Sequence, residues 1–153
     1  MKKQIITLAA VLIMVVSTVF AADHGKHDMG KHAQMGGAAH EEIIDGVKAV
    51  FTVQTMKEAM KAMGMKMPKG VKETHHVSLS LQDMKDNSAI TSGEARIKVI
   101  GPDKSEQVKE LVGMHGHFGA DIQMSAKGRY GIISKFKTAD AKVRQVKFWY
   151  QVK

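Results

Sequence analysis

The sequence predicts an all-β protein, an antiparallel β-sandwich of about seven short strands with one helical insertion. From Asp45 to the C-terminus, apolar and polar residues alternate in short runs, as they do in half-buried strands. Clusters of Gly, Pro, Asp, Asn and Ser separate these runs. No repeat of solenoid length is visible, so the runs belong to one sandwich rather than to a repeat array.

The first strand and the helix follow one another directly. Alternation over residues 47–53 predicts the strand, and Thr55-Met56-Lys57-Glu58 then has the form of a capping box at a helix start. Pro68 and Gly70 end the helical run. Four methionines recur at helical spacing inside it: Met56, Met60, Met63 and Met67. The pattern predicts a short, Met-rich helix near 56–66.

The remaining strands are predicted by the same alternation, which resumes at His75 and continues to Val152. The predicted strands cover 75–82, 95–99, 108–112, 118–124, 130–136 and 143–152. In the last of them, the alternation directs Phe148 and Tyr150 to the core and Trp149 to the outer face.

The N-terminal segment 1–21 has the features of a secretory signal peptide. Lys2 and Lys3 precede an apolar run over 5–20, and Val19-Phe20-Ala21 supplies small residues at the positions that a signal peptidase reads. The run is shorter than the ~20 residues of a membrane span. Without any cysteine, a lipid-modified N-terminus is excluded. We therefore expect a periplasmic or secreted protein, with no membrane span after cleavage.

Cleavage after Ala21 exposes a disordered, His/Met-rich leader over 22–43. A free amine on Ala22, the amides of Asp23 and His24, and the His24 imidazole form a square-planar chelate that suits Cu(II) or Ni(II). His27 and His32 add imidazoles, and short His-rich tracts are typical of metal binding. The alternative is a solubilising leader whose histidines do nothing specific.

Composition limits the functions that the chain can have. Of its 153 residues, 44–153 form one domain of ordinary size. Removal of Lys2 and Lys3 lowers the net charge from +8 to +6, and the lysines lack the interleaved aromatics of nucleic-acid binders. An exported chain without cysteine has no disulfides, and only His, Met and carboxylate side chains remain as metal ligands.

Several motifs of the C-terminal two-thirds resemble those of one protein family. They are Thr74-His75-His76, Ile100-Gly101-Pro102-Asp103, the region 113–121, Gly128-Arg129-Tyr130 and the closing residues 147–152. Together they resemble the YtkA-like family of exported domains, over residues 74–153. The resemblance implies an immunoglobulin-like β-sandwich outside the cytoplasm, and relatives of that family occur near copper and respiratory-oxidase functions.

Candidate metal ligands in the domain centre on Met114-His115-Gly116-His117. In a strand, His115 and His117 point to one side, about 7 Å apart, and can converge on one ion. Met114 adds a thioether suited to Cu(I). His76 shares the polar phase of its strand and is the better partner than His75, which shares the apolar phase. The flanking glycines also fit a loop end, and histidines hydrogen-bonded at a strand edge are the plain alternative.

The methionine cluster at the helix end has three interpretations. Met63, Met65 and Met67 bring three thioethers close together in the chain, an arrangement that suits Cu(I). A methionine stripe more often packs in the core, and an adaptable contact surface for a partner protein is the third interpretation.

The sequence contains no motif for catalysis: it has no Gly-x-Ser-x-Gly, phosphate loop or HExxH. We therefore expect a non-enzyme that binds copper, as Cu(I) or Cu(II), and acts as chaperone, buffer or delivery factor to a membrane or periplasmic protein acceptor. One alternative is a non-catalytic envelope interaction module with a Met-rich contact helix. Another is a zinc or nickel sponge that acts through the leader alone.

Overall fold

The computed structural model describes residues 37–153, which form nine strands and one helix. The predicted signal peptide and the leader residues Ala22, Asp23, His24, His27 and His32 lie outside the described residues. The elements are β1 His40–Ile44, β2 Val47–Thr55, α1 Met56–Ala62, β3 His75–Asp83, β4 Ala89–Ile90, β5 Glu94–Ile100, β6 Glu106–Met114, β7 His117–Ile122, β8 Gly128–Lys137 and β9 Val143–Val152.

All strand pairs are antiparallel, and the strand order is β1-β2-β3-β7-β6-β5-β8-β9, with β4 beside β3. Strand β6 pairs with β5 over Glu106–Leu111 and then with β7 over Val112–Met114. This change of partner joins a first sheet (β1, β2, β3, β4, β7 and the end of β6) to a second sheet (the start of β6, β5, β8 and β9). The predicted all-β, immunoglobulin-like sandwich is confirmed, in a nearly closed form.

The core lies between the two sheets and follows the alternation that predicted the strands. The largest buried side chains include Phe51, Leu79, Ile97, Ile132 and Phe136. In β9 Phe148 is buried, whereas Trp149 is exposed, as predicted. Within residues 37–153, no helix is long and apolar enough to cross a membrane.

Helix α1 begins and ends at recognisable caps. Thr55 and Glu58 form the predicted capping box, with the Glu58 amide donating to Thr55 Oγ1 and the Thr55 amide to Glu58 Oε2. At the other end the Gly64 amide donates to the Lys61 carbonyl and the Met65 amide to the Met60 carbonyl. With Gly64 at φ +66°, this is a Schellman motif, which terminates the helix.

The elements differ from the sequence prediction in several places, most clearly at the start of the sandwich, at the end of the helix and at β4. The sandwich starts at His40 rather than at 44, because β1 adds an edge strand that includes part of the predicted leader. The helix stops at Ala62 rather than 66, because the chain adopts a left-handed conformation at Gly64. Strand β4 has only two residues, too few for alternation to be visible.

Side chains rather than a hydrogen-bond ladder link β1 to β9. The His40 ring stacks on Phe148, with centroids 4.8 Å apart. Buried Arg144 donates from Nε to the Ile44 carbonyl and from Nη2 to the Asp45 carbonyl. Its Nη1 donates to Asp140 Oδ1 at 3.0 Å. This guanidinium therefore connects the β1–β2 turn to the β8–β9 turn.

Candidate metal site

The hairpin between β6 and β7 places two predicted ligands side by side. Met114 ends β6, His117 begins β7, and the two residues are a register pair. His115 and Gly116 form the two-residue turn between them, with φ of +43° and +86°. Two positive φ values are the signature of a type I′ hairpin turn, in which glycine is favoured and histidine is tolerated. The loop-end interpretation is confirmed, and placement of His115 and His117 in one strand is wrong.

His76 lies on the neighbouring strand β3, on the outer face of the first sheet. Its Nδ1 is 2.7 Å from Asp121 Oδ1, which belongs to the directly opposed residue of β7. An ionised carboxylate only accepts hydrogen bonds, so Nδ1 carries a proton, and in the neutral imidazole the lone pair therefore lies on Nε2. A carboxylate that accepts from one ring nitrogen of a metal-binding histidine fixes the tautomer and the ring orientation.

Gly119 provides the space into which the His76 ring folds. A Cβ at this position would lie 2.9 Å from both Cε1 and Nε2 of His76, and 3.3 Å from the Met114 methyl carbon. The Nε2 edge of the ring and the Met114 methyl carbon therefore lie over the same point of β7. Any larger residue at 119 would displace one or both of them.

His117 points to the same side of β7 as Gly119 and Asp121, because successive side chains alternate. Partial burial lowers the pKa of its imidazole, and the charges of His76 and His115 lower that pKa further, while a backbone hydrogen bond with His115 opposes them. The lowered pKa keeps His117 neutral near pH 7, the state in which an imidazole binds a metal.

The cluster made of His76, Met114 and His117 offers two imidazole nitrogens and one thioether sulfur. Within residues 37–153, no three His, Cys, Asp or Glu side chains converge as a metal site. A donor set of two nitrogens and one soft sulfur is suited to Cu(I) rather than to a hard cation such as Mg²⁺ or Ca²⁺. We refer to these three residues as the His76 cluster.

The other predicted ligands are not part of this cluster. His115 is exposed in the turn, although its charge reaches His117. The leader ligands lie outside the described residues. Met63, Met65 and Met67 are 58, 56 and 45 % exposed, on the segment between α1 and β3. The predicted single-face stripe is therefore divided: Met56 is buried and Met60 is partly buried, whereas Met63 and Met67 are exposed.

His75 faces inward, as its apolar phase predicted. It is 7 % exposed, its Nδ1 is 2.8 Å from Thr74 Oγ1, and its ring meets Tyr150 edge-on. Burial lowers the pKa of this imidazole, while the Glu58 charge opposes that shift. His75 is thus a core residue rather than a ligand.

Two residues of the site were not found by sequence reasoning. Asp121 and Gly119 both lie in the 113–121 motif region, where the sequence pattern assigns neither of them a role. Both acquire their roles from the β3–β7 register, which pairs His76 with Asp121 and Ser78 with Gly119. The only local signal for these roles is that a glycine and an acid lie two residues apart in a strand that starts with histidine.

Solved structures share this fold. FetP of uropathogenic Escherichia coli aligns over 75 % of this chain and 93 % of its own, with TM-score 0.56 and 14 % identity. A copper-bound variant of FetP aligns over 74 % and 94 %, with TM-score 0.58 and 16 % identity. A DUF4426-family protein of Pseudomonas aeruginosa aligns over 74 % and 93 %, with TM-score 0.53 and 10 % identity.

No family model and no curated protein sequence matches the chain. The structural likenesses support the predicted immunoglobulin-like fold. Membership of the YtkA-like family stays a prediction from the sequence motifs.

Proposed function

We propose that this chain is a non-catalytic, periplasmic copper protein that binds Cu(I) through His76 Nε2, His117 and Met114. The observation that supports this most directly is the Asp121 carboxylate, which holds Nδ1 of His76 and turns Nε2 toward the Met114 methyl group over Gly119. Such an oriented nitrogen beside a thioether is what a soft monovalent ion requires.

Copper is also the metal that a structural neighbour carries, since one FetP structure is copper-bound. The identity of 16 % limits that likeness to the fold. It therefore supports the proposal only together with the donor set of this chain. The signal-peptide pattern supports a periplasmic location, because a cleaved chain has no apolar stretch long enough to remain in the membrane.

In this proposal the protein is a chaperone, buffer or delivery factor. A three-ligand site at the tip of a hairpin leaves room for a fourth ligand from an acceptor protein, so the ion can move by ligand exchange. The leader, through Ala22, Asp23, His24, His27 and His32, captures Cu(II) in a separate step. Met63, Met65 and Met67 offer further soft donors at the surface.

The test is a Cu(I) competition titration with a chromophoric chelator. Replacing His24, His27 and His32 with Ala in the full chain removes the three leader imidazoles that precede β1 and keeps β1 intact. This variant is expected to bind one tight equivalent. His117→Ala should then weaken binding by about 100-fold or more, because a ligand is lost. Met114→Leu should weaken it by ~10-fold or more, since leucine has similar volume without the sulfur.

Two variants serve as controls in the same background. Met84→Leu removes an exposed thioether elsewhere, and His115→Asn keeps a residue that tolerates the left-handed turn. Both should bind within ~3-fold of the parent. Equal losses in Met84→Leu and Met114→Leu, or no tight equivalent at all, would contradict the proposed site.

The exposure of Met63, Met65 and Met67 favours a second candidate, an envelope interaction module whose Met-rich segment contacts a partner protein. In that case Met60→Ser combined with Met63→Ser abolishes capture of the partner and leaves copper binding unchanged. If only the copper affinity changes, the segment is a metal donor and the interaction module is wrong.

A further inference from the structure

The outer face of the second sheet, formed by β5, β8, β9 and the start of β6, exposes apolar side chains among cations. Val108, Val143 and Trp149 are 56, 67 and 62 % exposed on it. No two of them are register partners, and charged residues lie between them on the face. We call this surface the cationic face.

Like charges oppose each other at the centre of the cationic face. Arg96 on β5 is the register partner of Lys135 on β8, and Lys147 is paired with the adjacent Ile133. Opposed like charges destabilise a sheet. None of these three cations forms a salt bridge within residues 37–153, although Glu110 lies opposite Arg96.

The two other acids of this face are already paired. Glu94 binds Lys137 at 3.2 Å and Glu106 binds Lys98 at 2.7 Å. A groove of about 300 Å³ lies beside the unpaired Arg96 and Lys135, and its walls are both charged and apolar. Its lining residues are Arg96, Lys98, Val108, Ile133, Lys135 and Gln145.

Trp149 lies flat on this face because Gly131, its register partner, leaves room for it. A Cβ at Gly131 would lie 3.1 Å from the indole ring. The Arg129 guanidinium carbon is 4.3 Å from the ring centroid on the same face. The Trp149 indole is amphipathic, and with the Arg129 cation above it this part of the face can make both polar and apolar contacts, as tryptophans do at a membrane–water interface.

Lysine is depleted in the cores of protein–protein interfaces, which argues against a protein partner for this face. Cations near an anionic bilayer are attracted to it, and single valines and a tryptophan among them can enter the headgroup region. We propose that the cationic face docks on an anionic phospholipid surface, with Arg96, Lys135 and Lys147 against the lipid phosphates and Trp149 in the headgroup layer.

The proposal is independent of copper, since the His76 cluster lies on the outer face of the first sheet. The chain has a single tryptophan, so indole fluorescence reports on this face alone. The experiment uses the chain purified from the periplasm of an expressing host, in low salt without copper. It is titrated with vesicles of phosphatidylcholine, with and without about 30 % phosphatidylglycerol. We expect a blue shift of Trp149 emission and co-sedimentation only with the anionic vesicles.

The decisive variant changes Arg96, Lys135 and Lys147 to Gln. It should weaken binding to anionic vesicles by at least ~30-fold, and ~0.15 M salt should weaken binding of the parent. The matched control changes three exposed lysines elsewhere, Lys57, Lys61 and Lys69, to Gln, and should lose less than ~5-fold. Because the variant removes opposed like charges, its melting temperature should be unchanged or higher. The variant should therefore stay folded, and weaker binding would not result from unfolding.

Three outcomes would overturn the proposal. Equal weakening in both triple variants would mean that net charge, not this face, attracts the vesicles. Sedimentation with vesicles without a Trp149 shift would place the contact elsewhere in the chain. If the chain binds an acidic protein but not the anionic vesicles, the face belongs to a protein partner instead.

Discussion

Arg144 and His76 each link separate parts of the chain through side-chain hydrogen bonds, but they differ in what remains unbonded. Arg144 uses Nε, Nη1 and Nη2 on the Ile44 and Asp45 carbonyls and on Asp140, inside the fold. These hydrogen bonds hold the pKa of Asp140 well below its usual range. In the His76 cluster Asp121 occupies only Nδ1, and within the described chain Nε2 has no hydrogen-bond partner.

The difference separates a structural cluster from a binding cluster. A buried guanidinium whose donors are bonded stabilises the turns it connects and has nothing left for a ligand. An oriented imidazole with a bare nitrogen beside a thioether contributes little to the fold and is prepared for an ion. Substitution of Arg144 should therefore lower stability and leave Cu(I) affinity unchanged, whereas substitution of His76 should lower Cu(I) affinity and leave stability almost unchanged.

The largest expected effect tests this opposition directly. Arg144→Met should lower the free energy of unfolding by about 2 to 4 kcal/mol, because it leaves two backbone carbonyls without their donor and Asp140 without its ion-pair partner. Its Cu(I) affinity should stay within ~3-fold of the parent. Urea denaturation and chelator competition measure the two quantities.

His76→Ala is the reciprocal variant. It should lower Cu(I) affinity by about 100-fold or more and change the unfolding free energy by less than ~1 kcal/mol, since a contact with an exposed acid contributes little. If His76→Ala unfolds the protein as strongly as Arg144→Met, the two clusters are alike and the comparison fails.

An intermediate effect is expected at Gly119. In Gly119→Ala the new methyl group would meet the His76 ring at 2.9 Å and the Met114 methyl at 3.3 Å. The displaced ligands should bind Cu(I) ~10- to 100-fold more weakly. Ser78→Ala, at the register partner of Gly119 on β3, is the matched control and should bind like the parent. Unchanged affinity in Gly119→Ala would mean that the metal is held elsewhere.

The smallest effect is expected when the Asp121 charge alone is removed. Asp121→Asn still offers an oxygen that accepts from His76 Nδ1. Because this acceptor is neutral, the His76 imidazole becomes a weaker metal ligand. We expect about a 10-fold loss of Cu(I) affinity, while Glu110→Gln on the second sheet causes none. A loss as large as that of His76→Ala would make Asp121 a direct ligand rather than a positioning residue.

Local patterns predicted the elements of this fold well. The capping box at Thr55, the inward phase of Phe148 and the outward phase of His76 all depend on residues close together in the chain. Strands β1 and β4 were missed because their five and two residues show no clear alternation. The helix was predicted four residues too long, because the methionine spacing continues past the left-handed Gly64.

The sequence by itself determined the type of each long element, the apolar face that it buries, and the supply of soft and imidazole donors. These properties follow from side-chain periodicity and chemistry, which are local. Only the tertiary structure decided which donors meet. His76 reaches Asp121, 45 residues away, through strand pairing, and Gly119 makes room for a ring from another strand. Register between distant strands is set by the packing of the whole core, so no segment of the sequence encodes it alone.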